Sequence, residues 1–289
     1  MTLEELIYSR MTGNEKIREQ LAKYSGTPAV FLQKCPDDTA DGWSGVQYPR
    51  ADYVVDMRAD PERHSSGLVT VNIYSNDAGI PPENIAPYVR TALCDIIMQA
   101  DDGAYCIAWD RTELFEMTTV QSPNTQVNGC MLTFLVIAFP EQLAKDPDPA
   151  LALNEFLKVW EPESLVIGKD HIDTIYEPSD KHPAFYVRIA GYRKNRATYA
   201  LTWMDCMISV HVIAPTPEGR SRWSRYLADT LLVRGDVDMM DGAPLLVKDL
   251  AVDSGAEYLT QGQINIKAQY AITNLNGYAH PLKEVYFNQ

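Results

Sequence analysis

Residues 200–233 read ALTWMDCMISVHVIAPTPEGRSRWSRYLADTLLV, and this stretch decides the fold. It opens as a strand: Ile208, Val210 and Val212 fall on one side of an extended chain, Ser209 and His211 on the other. Pro215 and Pro217 mark a turn, and a helix with an aromatic anchor follows. Residues 67–97, GLVTVNIYSNDAGIPPENIAPYVRTALCDII, repeat the phrase. There Val69, Val71 and Ile73 alternate with Thr70 and Asn72, and Pro81-Pro82 opens the helix.

The likeness extends outward in order. Tyr53-Val54-Val55 stands against Tyr186-Val187-Arg188, and Tyr88 in the first helix against Tyr226 in the second. The turn 120–129 stands against 252–262, and each leads into a closing strand, 130–138 and 263–272. A duplicated domain explains this order; two α+β domains sharing common elements by chance is the alternative. Each half reads α-β-β-β-α-β-β, an α+β fold of two similar domains. Hairpins dominate, so each sheet is expected to be mainly antiparallel with its helices packed on one face.

The expected boundaries are 1–140 for the first domain, an Asp-Pro linker at 141–150, a second domain at 151–273 and a tail at 274–289. The two Asp-Pro steps of EQLAKDPDPA place the linker, since proline disfavours helix at and before its position. Thr2 and Glu5 predict a capping box on a first helix that breaks at Gly13 and runs to about Tyr24. Residues 104–120 predict a strand interrupted near Asp110.

Charge narrows the function classes. Lys plus Arg number 25 against 39 Asp plus Glu, a net charge of −14. Residues 1–140 hold 10 bases and 19 acids, and residues 141–289 hold 15 and 20, so neither half is basic. A general phosphate-binding surface, and with it sequence-specific nucleic-acid binding, is not expected. No apolar run of membrane-spanning length occurs, and MTLEELIYSRM lacks the features of a signal peptide. The five cysteines show no CxxC spacing; Cys94, Cys130 and Cys206 read as small core residues in a reducing compartment.

Catalytic signatures are weak. No phosphate loop, dinucleotide fingerprint or nucleophile elbow occurs, and no two of the five histidines have metal-ligand spacing. His211 falls on the polar side of its strand, where Asn72 stands in the first half, and is expected at the surface or in a subunit contact. Asp236, Asp238 and Asp241 before Gly242 have the wrong spacing for a calcium loop and read as a solvated turn. No catalytic residue, cofactor or metal is assigned.

One local excess of positive charge remains. Arg188, Arg193, Lys194 and Arg196 lie on and around a hairpin, and Arg220, Arg222 and Arg225 on the first turns of the next helix. Arginines at a helix N-terminus oppose the dipole and call for a compensating partner. The group is an ordinary solvated face, a contact patch for an acidic partner such as a neighbouring copy, or, as the least expected reading, a nucleic-acid contact. Tyr286 and Phe287 in the tail are further candidate contacts.

The order helix, strand, β-hairpin, helix and closing strands resembles the tail-terminator and tail-completion (neck) proteins of tailed bacteriophages. The segments that carry the likeness are YVVDM (53–57), VTVNIYS (69–75), PYVRTALCDII (87–97) and GQINIKAQYAI (262–272). The resemblance applies to each half separately; the doubling and the tail depart from the usual single-domain form. It implies a non-enzymatic virion protein, assembled in the host cytoplasm, that forms rings, commonly hexamers. Such rings join the tail tube or sheath to head-connector proteins. A cytosolic adaptor with a duplicated α+β domain is the alternative.

Overall fold

The computed structural model describes residues 1–118, 126–140, 142 and 147–273. Among these the chain is mixed α+β, mostly sheet, with five helices and two large sheets. The tail 274–289, with Tyr286 and Phe287, lies outside the described residues, as do Val120, Glu141 and residues 143–146 of the expected linker.

Helix α1 (Leu3–Gly13) starts on the capping box, with Thr2 and Glu5 each accepting the other's backbone N–H. Helix α2 (Glu15–Gln20) restarts on Asn14. It stops at Gln20, short of the expected Tyr24, because Lys23–Tyr24 (β1) forms a small hairpin with Thr27–Pro28 (β2). Then come β3 (Val30–Leu32), β4 (Arg50–Asp56), β5 (Gly67–Asn76), α3 (Pro82–Leu93), β6 (Ile97–Ala100), β7 (Gly103–Thr118) and β8 (Gln126–Phe139). β7 is one strand, and the expected interruption near Asp110 is a bulge between Trp109 and Arg111.

The second half holds α4 (Pro149–Trp160), β9 (Leu165–Ile167), β10 (Ile175–Tyr176), β11 (Ala184–Ala197), β12 (Leu201–Ile213), α5 (Pro217–Arg234), β13 (Asp236–Asp238), β14 (Pro244–Val252) and β15 (Ile264–Thr273). α4 begins inside the span read as linker. Asp148 caps it, accepting from Ala150 N (2.8 Å) and Leu151 N (3.2 Å), and Pro149 takes the first turn. A proline there removes an N–H that would have no partner, so the second Asp-Pro step starts a helix.

The first sheet runs β10-β6-β7-β8-β5-β4-β3 and the second β13-β14-β15-β12-β11-β9. The order β3-β4-β5-β8-β7-β6 thus recurs as β9-β11-β12-β15-β14-β13. In each the first pair is parallel and the rest antiparallel. Beyond the expected order stand the small β1–β2 hairpin, β10 and, in each large sheet, one strand directly after α3 or α5, β6 and β13. At 4 and 3 residues they are too short to show alternation in sequence. β10 comes from the second half yet pairs with β6, as the outermost strand of the first sheet.

Helix faces correspond as well. Ile85, Ala86, Val89 and Leu93 of α3, and Trp223, Ser224, Leu227 and Leu231 of α5, face their sheets at the same helical spacing. Tyr88 and Tyr226 share a position on this spacing, but Tyr88 packs on the core while Tyr226 is 40% exposed, against Trp223. The strand match of Tyr53 with Tyr186 is one residue out of register. Tyr53 pairs with Val71, whereas Tyr186 pairs with His211 and Val187 with Val210. With Val71 set against Val210, the counterpart of Tyr53 is Val187. A one-residue slip exchanges faces. Tyr53 points to the helices and its hydroxyl donates to Glu4 O (2.9 Å), while Tyr186 points away, against Phe139 and His211.

Three cores result. One joins α1, α2 and α3 to the first sheet, around Leu6, Ile7, Val71, Ile85 and Phe134. The second joins α4 and α5 to the second sheet, around Leu153, Phe185, Val210 and Leu227. The third holds the halves together: Ile97, Cys106, Ile137 and Phe139 pack on Ile167, Ala184, Tyr186, Ile213 and Leu259. Each fully buried aliphatic or aromatic side chain contributes roughly 1.5–3 kcal/mol, so this third cluster fixes the halves firmly.

Candidate functional site

The structure separates the arginines that sequence groups together. Helix α5 is set by Thr216, whose hydroxyl accepts from Gly219 N (3.0 Å), and ends at Gly235 in the left-handed region (φ 80°). The Asp180 carboxylate accepts from both Thr216 N (3.2 Å) and Thr216 Oγ1 (2.7 Å), which puts an acid at the helix start. Arg220 donates to Ala214 O (2.6 Å) with its guanidinium 4.1 Å from the Tyr258 ring centre, and Arg222 donates to Asp180 O. The compensating partners expected for Arg220 and Arg222 are therefore internal carbonyls. Arg225 is exposed.

The other basic group lies at the far end of the same strand. Lys194 pairs with Met204 and Arg196 with Trp203, near the turn of the β11–β12 hairpin, whereas α5 follows Ile213 at its open end. Met204 to Ile213 spans about 30 Å at roughly 3.3 Å per residue. Arg193 is mostly exposed and lies 3.5 Å from Asp205, and Arg196 stacks 5.4 Å over Trp203. Hydrogen bonds from Asn195, then Gln269, with Arg193 nearby, hold the Asp205 carboxyl below its ordinary range. Lys194 and Arg196 project into solvent.

His211 is not at the surface. It is 1% exposed, with Nδ1 2.8 Å from Tyr258 O and Nε2 accepting from Arg188 Nε (3.0 Å). Accepting at Nε2 requires the neutral tautomer protonated at Nδ1. Burial, and then the Arg188 charge, push its pKa down to about 4 against the upward pull of the Tyr258 carbonyl. Arg188 also donates to Gln261 O (3.0 Å), and Gly262 leaves room for the ring where a Cβ would sit 3.1 Å from it. Tyr258 in turn donates its hydroxyl to Asp95 of the first half, at the edge of the third core. Burial raises the Asp95 carboxyl, while Tyr258 and Arg220 pull it down. This chain of contacts locks the two halves. No local pattern around Asp95, Arg188 or Tyr258 announced it; the matched Asn72 is half-buried and donates to Asp52, and so suggested a polar surface.

The densest titratable cluster lies in a cleft under residues 34–50. Arg50 pairs with Asp38 (2.7 Å), both largely buried, and its guanidinium sits 4.5 Å from the Tyr48 ring and 5.4 Å from Trp43. Asp52, 5% exposed, accepts from Asn72 (2.9 Å). Burial pushes the Tyr48 hydroxyl up to about 12 and the neighbouring Cys35 thiol well above its usual range. A thiol held protonated is no nucleophile. The cluster works as a clasp that holds an Asp- and Gly-rich loop onto the sheet. The acidic turn at β13 is likewise engaged, with Arg234 pairing to Asp238 (2.6 Å). Among the described residues no group of three or more His, Cys, Asp or Glu is placed to hold a metal.

A groove of about 750 Å³ runs between the turn before α3 and strand β7. Asp77, Glu83 and Glu116 line it with Pro81, Pro82 and Leu114, and among the described residues no basic side chain does. Leu114 is 66% exposed there. β7 is also an open edge: β6 covers only Gly103–Cys106, and beyond the Cys94–Ile107 bridge no described residue pairs with its outer side. Two long hairpins thus carry free edges, one acidic and one basic. No helix among the described residues is long and apolar enough to cross a membrane. No protein-family model matches the chain, and no curated protein matches it at a significant level.

Proposed function

We propose that this chain is a virion structural protein of a tailed bacteriophage, a tail terminator or neck component that closes into a ring between the tail tube or sheath and the head. The observation that carries this is the recurrence of one strand order, β3-β4-β5-β8-β7-β6, as β9-β11-β12-β15-β14-β13. The repeated unit resembles the helix, strand, hairpin, helix and closing-strand order of tail-terminator proteins, and the reading takes residues 1–140 and 151–273 as two copies of that domain. Exposed strand edges support it. A sheet edge left open invites uncontrolled pairing unless a partner covers it, and closed symmetry covers it in every copy. Partners in this reading are further copies of the chain, the tail tube or sheath, and head-connector proteins. No step of chemistry is assigned.

The test is assembly. Purified full-length protein, mixed with tail tubes lacking their terminator, should cap tube ends as a ring in negative-stain images. Tubes that stay uncapped at saturating protein would count against the reading.

A further inference from the structure

We propose that the acidic groove of the first half receives the basic β11–β12 hairpin of a second copy of this chain. The inference rests on the ring reading above and names the surfaces that meet.

The groove carries three carboxylates, Asp77, Glu83 and Glu116, and no base among the described residues lines it. Asp77 and Glu83 are exposed, and Glu116, also exposed, accepts a neutral hydrogen bond from Gln126 (2.9 Å). The wall between them is apolar, and the 66% exposure of Leu114 leaves a large aliphatic side chain in water. The hairpin supplies the complement: Lys194 and Arg196 in solvent, and Tyr192, 71% exposed, as an amphipathic anchor on the same face as Lys194. Beyond Tyr186, where β9 ends, no described strand pairs with the outer side of β11. Both elements thus offer a free backbone edge, and a strand added there gains main-chain hydrogen bonds as well as charge pairing.

The occupant is another copy because every lining residue of the groove comes from the first half, and the chain's own hairpin does not reach it. Nucleic acid is excluded by sign, since three carboxylates repel phosphate. Groove and hairpin are different patches, so the contact is head-to-tail, the type that generates rings when the rotation closes.

Two exposed charge reversals test this, Glu83→Lys with Glu116→Lys and Lys194→Glu with Arg196→Glu. Unfolding midpoints confirm that each variant folds, and sedimentation velocity reads the association. Either variant alone should raise the subunit dissociation constant about tenfold or more, because like charges then face each other. Mixed in equal amounts, the two should assemble again, since every alternating junction is complementary. Wild-type protein that assembles while both folded variants assemble equally tightly overturns this interface and leaves the ring reading standing. So does a mixture that fails to recover. Wild-type protein that never associates overturns both.

Discussion

Tyr258 of the second half donates its hydroxyl hydrogen to Asp95 of the first, while the Tyr258 backbone carbonyl holds Nδ1 of His211. One residue therefore ties a first-half carboxylate to a buried histidine of the second sheet. Replacing Tyr258 by Phe removes the hydroxyl and leaves the Asp95 carboxylate buried without it. The loss should be about 1–3 kcal/mol at pH 7. Because the hydroxyl favours the charged form of Asp95, the deficit should shrink as the pH falls and Asp95 takes up a proton. Urea unfolding of both proteins at pH 7 and pH 4.5 checks this; an equal deficit at both would argue against the pairing.

His211 sets a second pH dependence. Its folded pKa of about 4 lies below the ordinary 6.5, so between these values the unfolded chain binds the extra proton. Stability is thus fully present above pH 6.5 and falls as the pH drops toward 4, by on the order of 2–3 kcal/mol. His211→Gln should flatten that slope, measured as the urea midpoint against pH. A slope unchanged by the substitution would remove His211 as its source.

Arg50 clasps the loop through Asp38, Tyr48 and Trp43. Arg50→Ala should cost about 2–4 kcal/mol, since it strands Asp38 in a largely buried position. Arg50→Lys should recover only part, because an ammonium cannot stack flat between two rings. Thermal unfolding ranks the three proteins.

Two glycines should respond oppositely to alanine. At Gly219 a Cβ would stand 2.1 Å from Asp180 Oδ1, the carboxylate that holds the start of α5, so Gly219→Ala should destabilise by about 1–3 kcal/mol. At Gly191 a Cβ meets nothing within 4 Å, and Gly191→Ala should be neutral or slightly stabilising. Equal effects at the two sites would contradict the packing described for α5.

Much of the architecture was legible from short-range signals. Alternation at Val69–Ile73 and Ile208–Val212 marked two central strands, and Thr2 with Glu5 marked the first helix start. What escaped depends on partners distant in sequence. The Tyr53 and Tyr186 identity suggested a register that backbone pairing does not follow, because identity carries no information on which face a strand buries. His211 looked polar and exposed until the loop at Tyr258 closed over it. The basic residues formed one group along the chain, and a strand of about 30 Å parts them in space. The acidic groove draws on Asp77, Glu83 and Glu116, a set no local window contains.

The proposed ring of chain copies has a simple physical signature. The native mass of the full-length protein at micromolar concentration, measured by sedimentation velocity with and without tail tubes, tests it most directly. The expected species is a closed assembly of several copies, six being the number that the resemblance to tail-terminator proteins implies, and it should weaken as salt screens the charged contacts. A species that stays monomeric under every condition, tubes included, would contradict it.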